Sequence, residues 1–409
     1  MPAEKDLQLH EQLERKIPVA PLGLIIMPSA SELGSKVDNW LVQFRSLDHN
    51  IVKKDPAFRN YVQSTYSKPF QVPRFGSGEG KAVLEDTVRG YDIYIISDVC
   101  NYSLTYRMNG FTNHYSPDDH FQDVKRVISA INGKAHRISV IMPFLYEGRQ
   151  HRRSGRESLD CAIMLKELYG MGVSNFITFD AHDPRVQNVE PLSEFDNFLP
   201  PYQFLRTLMM SVPDLTLDKD HITVISPDEG AMERAIYFAN VIGVDTGAFY
   251  KRRDYSKIVN GKNPIVAHEF LGSDIEGRDV IVIDDMISSG GSMLDCCAQM
   301  KKRGANRVFI CTTFGLFTDG FEKFDEYYEK GMFTKLITTN VCYRQPELLK
   351  KPYYETANMY KYLASIINTL NHDESIEKVK STTKKITKML GKVQDHSPVV
   401  IDTDQVDRQ

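Results

Sequence analysis

The sequence lacks long apolar runs and an excess of charge of one sign. No apolar run among its 409 residues is long enough to cross a bilayer, so we expect no membrane segment. A formal net charge of −4 provides no basic surface of the kind that general nucleic-acid binding requires. The opening segment, MPAEKDLQLHEQLERK, is too charged for a signal peptide. We therefore expect a cytoplasmic protein whose partners include neither nucleic acid nor membrane.

Cysteine is also scarce. The six cysteines show neither the paired spacing of a zinc site nor a disulfide framework, and Cys296 and Cys297 are adjacent. This usage is typical of small buried side chains in a reducing compartment. By contrast, 42% of the residues are hydrophobic, which at this length is enough for two domains with separate cores.

Apolar segments of strand length alternate with segments of helical period along the chain. That alternation favours an α/β fold with parallel sheets, whose ligands gather at the carboxyl ends of the strands. We expect strands over 23–27, 91–97, 137–144, 175–179, 221–225, 247–250, 280–283 and 307–313. We expect helices over 123–131, 159–169 and 232–241, and one that begins near Ser292. Residues 100–120, rich in Asn, Gly, Ser and Pro, are expected to form a long loop.

The segment VIVIDDMISSGGS, residues 280–292, carries the strongest functional pattern. A buried-type strand ends at two carboxylates, Asp284 and Asp285, and a small turn then opens a helix. The turn consists of Ser288, Ser289, Gly290, Gly291 and Ser292. Its backbone N–H groups and the helix dipole favour a phosphate, while the acid pair suits sugar hydroxyls or Mg²⁺. The alternative is an acid pair that only ends a strand, followed by an ordinary turn.

Three consecutive cations, Lys251 to Arg253, follow the apolar residues GAFY and open a stretch rich in Asn, Gly and Lys. Cations on a mobile loop can close over a polyphosphate and neutralise charge that builds up on the transferred group. The alternative is a solvated surface cluster.

Several segments together resemble those of one family. They are FGSGE (75–79), FDAH (179–182), FDN (195–197), SPDEG (226–230), KRR (251–253), DDMISSGGS (284–292) and TTN (338–340). In this order, over roughly residues 22–375, they resemble motifs of the ribose-phosphate diphosphokinases, or PRPP synthetases. The sugar-phosphate loop of that family is shared with type I phosphoribosyltransferases.

The resemblance implies two tandem phosphoribosyltransferase-like domains, each a mainly parallel sheet flanked by helices. The implied boundaries are a polar arm at 1–20, an N-terminal domain at 21–200 with an insertion at about 46–70, and a C-terminal domain at 201–345. The last two segments are a C-terminal helix at 346–375 and a basic tail at 376–409. We expect the tail to be a solvated helix with a disordered end.

The implied reaction transfers the β,γ-diphosphoryl group of MgATP to the C1 hydroxyl of ribose 5-phosphate. The resemblance assigns catalysis to Lys251 and Arg253, and magnesium contacts to His182 and Asp228. It assigns ATP binding to Phe75, Ser77, Glu79, Arg149 and Gln150. It assigns ribose 5-phosphate to Asp284, Asp285, Ser288, Ser289, Gly290, Gly291 and Ser292. Because a neighbouring subunit donates the adenine segment in this family, at least a homodimer is implied.

Single residues also have a structural interpretation. Phe75 could be a core aromatic residue, and His182 could be a hydrogen-bonded structural histidine. The chain also departs from the family pattern. Ser288 and Ser289 stand where Asp-Thr is usual, Ser77 stands where Asn or Asp is usual, and YEGRQ (146–150) is one residue longer than its counterpart. Three hypotheses therefore remain: the diphosphokinase, a non-catalytic regulatory relative that assembles with an active partner, and a phosphoribosyltransferase.

Overall fold

The computed structural model describes residues 17–46, 58, 60–253, 265–381 and 383–394. The chain divides into two units, each of which is described by itself. Unit 1 contains Met1–Pro200, Thr339–Gln345 and Asn358–Lys380, and unit 2 contains Pro201–Thr338, Pro346–Ala357 and Ser381–Gln409. Within the described ranges, no helix combines the length and the apolar character that crossing a bilayer requires.

The secondary structure alternates between strands and helices for most of the chain. The strands are β1 (Leu22–Ile26), β2 (Phe70–Gln71), β3 (Val83–Leu84), β4 (Asp92–Ile96), β5 (Thr105–Met108), β6 (Phe111–His114), β7 (Arg137–Ile141), β8 (Asn175–Phe179), β9 (Glu194–Phe198), β10 (Ile222–Ser226), β11 (Asp245–Arg253), β12 (Ile265–Leu271), β13 (Asp279–Ile287), β14 (Val308–Gly315), β15 (Lys335–Thr339) and β16 (Tyr354–Ala357). The α-helices are α1 (Ser31–Ser46), α2 (Pro117–Ile131), α3 (Asp160–Gly170), α4 (Pro201–Ser211), α5 (Met232–Ile242), α6 (Gly291–Lys302), α7 (Glu322–Glu329), α8 (Tyr360–Asn371), α9 (Glu377–Lys380) and α10 (Thr383–Gln394). Short 3₁₀ helices cover Pro28–Ala30, Pro184–Val189 and Leu348–Lys350.

Unit 1 is built on a parallel sheet in the order β1-β4-β7-β8-β9. All five residues of β4 are buried, as expected for a strand that helices cover on both faces. Helix α2 begins earlier than the predicted 123–131 because Ser116 caps it and forms a capping box with Asp119 of its first turn. It ends at Asn132, whose left-handed backbone (φ 52°) stops the helix.

The C-terminal helix α8 belongs to unit 1 and packs on α1. Arg45 of α1 is fully buried and donates through Nη2 to Asn371 Oδ1 at 2.6 Å. Asn371 in turn donates to Asp92 of β4 at 2.8 Å. The prediction of one helix over 346–375 is wrong, because the 3₁₀ helix Leu348–Lys350 and strand β16 precede α8.

Unit 2 is built on a sheet in the order β12-β11-β10-β13-β14-β15-β16. Strands β11, β10, β13, β14 and β15 are parallel, and β12 joins the edge antiparallel to β11. Alternate residues of β13 enter different cores: Val280 and Val282 pack with α6, while Ile281 and Ile283 pack with α4 and α5. The predicted α/β class with two mainly parallel, helix-flanked sheets is confirmed.

Two local predictions are wrong. The loop expected over 100–120 contains a hairpin, β5 and β6, whose turn residues Asn109 and Gly110 have positive φ of 51° and 86°. Asn-Gly is a favoured two-residue hairpin turn, so the sequence signal was present. The cations Lys251 to Arg253, expected on a mobile loop, form the end of β11, where the backbone of Lys251 pairs with that of His268 in β12. Residues 254–264, expected to be mobile, lie outside the described ranges.

The C-terminal tail is not a wholly solvated helix. Helix α10 inserts Ile386 and Met389 into the unit 2 core beside α4 and α5, and both side chains are buried. The prediction holds only for its outward residues, such as Thr387 and Lys388. Residues 1–16 of the arm, 47–57 and 59 of the insertion, and 395–409 of the tail lie outside the described residues.

We predict that Ile386→Ala lowers the free energy of unfolding by about 2–4 kcal/mol, because it removes buried methyl groups and leaves a cavity. Denaturant unfolding followed by circular dichroism measures this change. Lys388→Ala, on the exposed face of the same helix, is the matched control and should be neutral. Equal effects of the two substitutions would show that α10 is not docked in the core.

Candidate functional site

The acid pair lies on the last residues of β13, which extends to Ile287 and is longer than predicted. Asp285 is buried, with 2% of its surface exposed, and Asp284 is half-buried. The side chain of Asp285 faces Arg234 of α5, with 3.7 Å between Oδ2 and Nη2. This placement agrees with the alternation of β13, because the odd-numbered residues face the core that contains α5.

A third carboxylate, Asp228, follows β10, the strand that pairs with β13. Its Oδ1 accepts a hydrogen bond from the backbone N–H of Gly230 at 3.0 Å, which fixes the turn. Burial raises the pKa of Asp284 well above its ordinary value, and the carboxylates of Asp285 and Asp228 raise it further, while Arg234 acts in the opposite direction. The carboxylates of Asp228, Asp284 and Asp285 and the guanidinium of Arg234 therefore act on one another at this edge of the sheet.

The turn after β13 brings a helix N-terminus to the same edge of the sheet. Gly290 adopts a left-handed backbone (φ 86°), and a Cβ at this position would lie 2.3 Å from the ring of Phe324. Helix α6 begins at Gly291, and its first turn contains no acidic residue. The N-cap residue is Gly290, which has no side chain to cap the helix. The dipole of α6 therefore favours an anion beside the acid pair.

The cationic residues Lys251 and Arg253 lie on β11, which pairs with β10 on the side away from β13. The parallel register ends at Ser226 and Ala248, so β11 continues past the end of β10. Lys251 and Arg253 are thus placed by their backbone at the edge where Asp228 lies.

In unit 1, the segment 75–79 forms a tight turn. Backbone Phe75 N donates to Glu79 O at 2.7 Å, and Ser77 Oγ donates to a Glu79 carboxylate oxygen at 2.8 Å. Gly78 has a φ of 94°, which favours glycine there. Phe75 is 52% exposed, so the alternative that it is a core aromatic is wrong. An exposed ring on a fixed turn is a surface suited to stacking.

The segment after β7 contains Arg149 and Gln150. Arg149 is exposed, and the Gln150 amide donates to the backbone carbonyl of Ser158 at 2.7 Å. That bond closes the loop between the two residues. Gln150 therefore has a structural contact in addition to its predicted ligand role.

His182 follows β8 and is exposed. The turn that carries it is held in place, since Asp180 has a φ of 41° and Ala181 N donates to Asn197 Oδ1 at 3.0 Å. Its ring centroid lies 5.6 Å from that of His151, whose Nε2 is 3.2 Å from Asp183 Oδ2.

Sequence reasoning missed Arg234 and His151. Arg234 lies in the first turn of α5, close behind Asp228, which was the available signal. His151 directly follows Gln150 in the sequence, and its Nδ1 is buried with no hydrogen-bond partner among the described residues. Within unit 2 the structure brings together Asp228, Asp284, Asp285 and the glycine turn; within unit 1 it brings His182 next to His151.

The acid pair ends a strand where the strand order of the unit 2 sheet changes direction, and a glycine turn and a helix follow it. The comparison with known domains assigns this half of the chain to the phosphoribosyltransferase class. Residues 206–350 match the family model for a phosphoribosyl transferase domain. Residues 24–172 match the model for the N-terminal domain of ribose phosphate pyrophosphokinase. The chain belongs to the ribose-phosphate pyrophosphokinase (PRPP synthetase) family, which confirms the resemblance of its motifs.

The chain is a divergent member. It is 24% identical over 316 residues to ribose-phosphate pyrophosphokinase A of Dictyostelium discoideum, covering 76% of this chain and 90% of that protein. It is 26% identical over 309 residues to the ribose-phosphate pyrophosphokinase of Vibrio parahaemolyticus, covering 75% and 88%. A crystal structure of phosphoribosylpyrophosphate synthetase from Mycobacterium smegmatis matches with a TM-score of 0.66 at 19% identity, covering 86% and 99%. That structural likeness shows the fold.

We predict that Gly290→Ala destabilises unit 2 by about 1–3 kcal/mol, because a Cβ there clashes with Phe324 in a backbone region that only glycine adopts easily. Thermal unfolding checks this. Gly291→Ala is the matched control, since a Cβ at the neighbouring position meets no atom within 4 Å. A stable Gly290→Ala variant would contradict the described turn.

A second prediction concerns acid stability. The hydrogen bonds from the Arg185 side chain lower the pKa of Asp183 to about 2. Asp183 binds its proton less tightly in the folded state than in the unfolded state, so the ionised carboxylate stabilises the fold. This contribution to the free energy of unfolding is complete above about pH 4 and is lost as the pH falls toward 2. Asp183→Asn should remove on the order of 1 kcal/mol of that pH dependence. Unfolding free energies between these pH values test it, with exposed Asp220→Asn as the control.

Proposed function

We propose that the chain is an active ribose-phosphate diphosphokinase that converts MgATP and ribose 5-phosphate into 5-phosphoribosyl 1-diphosphate and AMP. The observation that supports this most is the edge of the unit 2 sheet. There, three carboxylates, a helix N-terminus and the cation-bearing end of β11 gather around the β10–β13 junction. Such an edge can hold a sugar phosphate and receive a polyphosphate.

Ribose 5-phosphate is held by two groups of different charge. Asp284 and Asp285 accept hydrogen bonds from the 2- and 3-hydroxyls, and the turn from Ser288 to Ser292 with the N-terminus of α6 binds the 5-phosphate.

The reaction is an in-line displacement at the β phosphorus. The C1 hydroxyl oxygen forms a bond to that phosphorus and loses its proton, and the bond to the oxygen bridging to the α phosphorus breaks. AMP leaves with the electron pair. Lys251 and Arg253 stabilise the charge that develops on the transferred group, which is the main contribution a protein makes to such transfers.

A divalent cation fits the donor set of unit 2. Asp228, Asp284 and Asp285 offer carboxylate oxygens, and oxygen donors of this kind are those that Mg²⁺ prefers. We assign Asp228 to the phosphate-bound magnesium, which when bound would neutralise charge on the triphosphate. The assignment of His182 to magnesium stays a prediction from the family motifs.

ATP is assigned to unit 1. The exposed ring of Phe75 offers a stacking surface for adenine, and Ser77, Glu79, Arg149 and Gln150 offer polar contacts. As in the family, we propose that Phe75, Ser77 and Glu79 act on the ATP of a neighbouring subunit. The working form is then at least a homodimer.

The direct test is to incubate the purified chain with MgATP and ribose 5-phosphate and to follow AMP and the sugar diphosphate by ³¹P NMR. We expect product from the native chain. Asp285→Asn removes a carboxylate at the sugar, and Lys251→Ala removes a cation that acts on the transition state. Each should lower kcat by about 100-fold or more.

Matched controls separate these losses from general effects of charge. Asp220→Asn and Lys219→Ala change the same residue types at exposed positions of unit 2 and should retain full activity. Absence of product from the native chain, with activation of a second family member upon mixing, would replace the proposal by the regulatory alternative. Release of pyrophosphate from 5-phosphoribosyl 1-diphosphate and a base would favour a phosphoribosyltransferase.

A further inference from the structure

A second cluster of ligand-type side chains lies in unit 1, apart from the acid pair. Asp98, Cys100 and Cys342 each place one ligand atom within 4.8 Å of the others. Asp98 and Cys100 follow β4, whereas Cys342 lies in the segment Thr339–Gln345, which also belongs to unit 1. The sequence showed no zinc spacing because the fold, and not the local chain, brings the two cysteines together.

The geometry of this cluster is fixed by its carboxylate. Asp98 Oδ1 accepts from the backbone N–H of Cys100 at 2.9 Å, and Asp98 Oδ2 accepts from the backbone N–H of Tyr343 at 2.6 Å. Asp98 N itself donates to Ser29 Oγ at 3.2 Å. One side chain thus holds the main chain next to both thiols. Carboxylates that bind metals are commonly held by hydrogen bonds in this way, which leaves further lone pairs for the ion.

The two cysteines can exchange their protons for an ion. A divalent cation that binds Cys100 and Cys342 takes the place of the two thiol protons, which are released to solvent.

We propose that Asp98, Cys100 and Cys342 form a binding site for a thiophilic divalent cation of the zinc type. Two thiolates and one carboxylate are a ligand set suited to zinc, whereas Mg²⁺ binds oxygen ligands. Three protein ligands leave the fourth tetrahedral position for water. None of its three ligands is a residue assigned above to a substrate or to magnesium.

Such an ion would join two parts of unit 1 that lie far apart in the sequence. Binding ties the residues after β4 to the Thr339–Gln345 segment, which is otherwise held through contacts such as Arg344 with Glu32 at 2.8 Å. Because the ion binds only the folded arrangement, it stabilises unit 1 in proportion to its concentration. A disulfide between the two cysteines would require an oxidant and would give Asp98 no part in the cluster.

The test uses Co²⁺ as a spectroscopic probe. The full chain, reduced and then freed of metal by a chelator, is titrated with CoCl₂ in the presence of excess MgCl₂. We expect thiolate-to-cobalt charge-transfer bands and the visible bands of a tetrahedral ion, saturating at about one Co²⁺ per chain. ZnCl₂ should abolish the bands, raise the unfolding temperature and protect Cys100 and Cys342 from alkylation.

Variants locate the site. Cys100→Ser and Cys342→Ser should each weaken Co²⁺ binding by at least about tenfold, and Asp98→Asn should weaken it while keeping the thiolate bands. Cys161→Ala, which removes a buried thiol outside the cluster, should bind as the native chain does. Circular dichroism of the metal-free proteins verifies that each variant is folded.

Two results would overturn the proposal. One is a native chain that shows no thiolate–cobalt bands under these conditions. The other is a double variant, Cys100→Ser with Cys342→Ser, that binds Co²⁺ as tightly as the native chain. Neither readout depends on catalytic activity, so the outcome is separate from that of the diphosphokinase assay.

Discussion

Two neighbouring parallel strands, β10 and β13, end at the same edge of the unit 2 sheet while the chain leaves them toward opposite sides. From β10 the chain runs outward to β11 and β12; from β13 it runs to β14. The departing segments therefore diverge and leave a crevice at the carboxyl ends of both strands. Asp228, the acid pair and the N-terminus of α6 all border that crevice. Every assignment in unit 2 depends on this one pairing.

Much of this arrangement could be predicted from the sequence. The apolar run 280–283, the acids and the glycines follow one another in the order of a buried strand, a turn and a helix start, so these elements could be placed within a few residues. The alternation of strands and helices predicted the fold class, because buried parallel strands are uniformly apolar and stand out from the helices between them. The spacing of apolar side chains is set by the local sequence, and in these segments the strands and helices that it predicts are those of the fold.

The errors arise where contacts between distant residues decide the structure. The pairing of Lys251 with His268 extends β11 through residues whose charge favours a loop, and the burial of Ile386 depends on α4 and α5. His151 and Asp183, like Cys100 and Cys342, meet only in the folded chain. By contrast, the Asn109–Gly110 turn was a local signal, outweighed by the loop-like composition around it. Family motifs assigned the site residues, but they gave no indication of the chain-specific clusters.

Helix α8 gives unit 1 an unusual dependence on the order of synthesis. It packs on α1 near the start of the chain, and Asn371 reaches Asp92 of β4. A ribosome releases these residues only after the last strand of unit 2, β16, has been made. Folding of the nascent chain therefore cannot proceed from one finished domain to the next, as it does in most two-domain proteins. The apolar surface of α1 stays uncovered until α8 has been synthesised, which makes this half of the protein a candidate client for chaperones during translation.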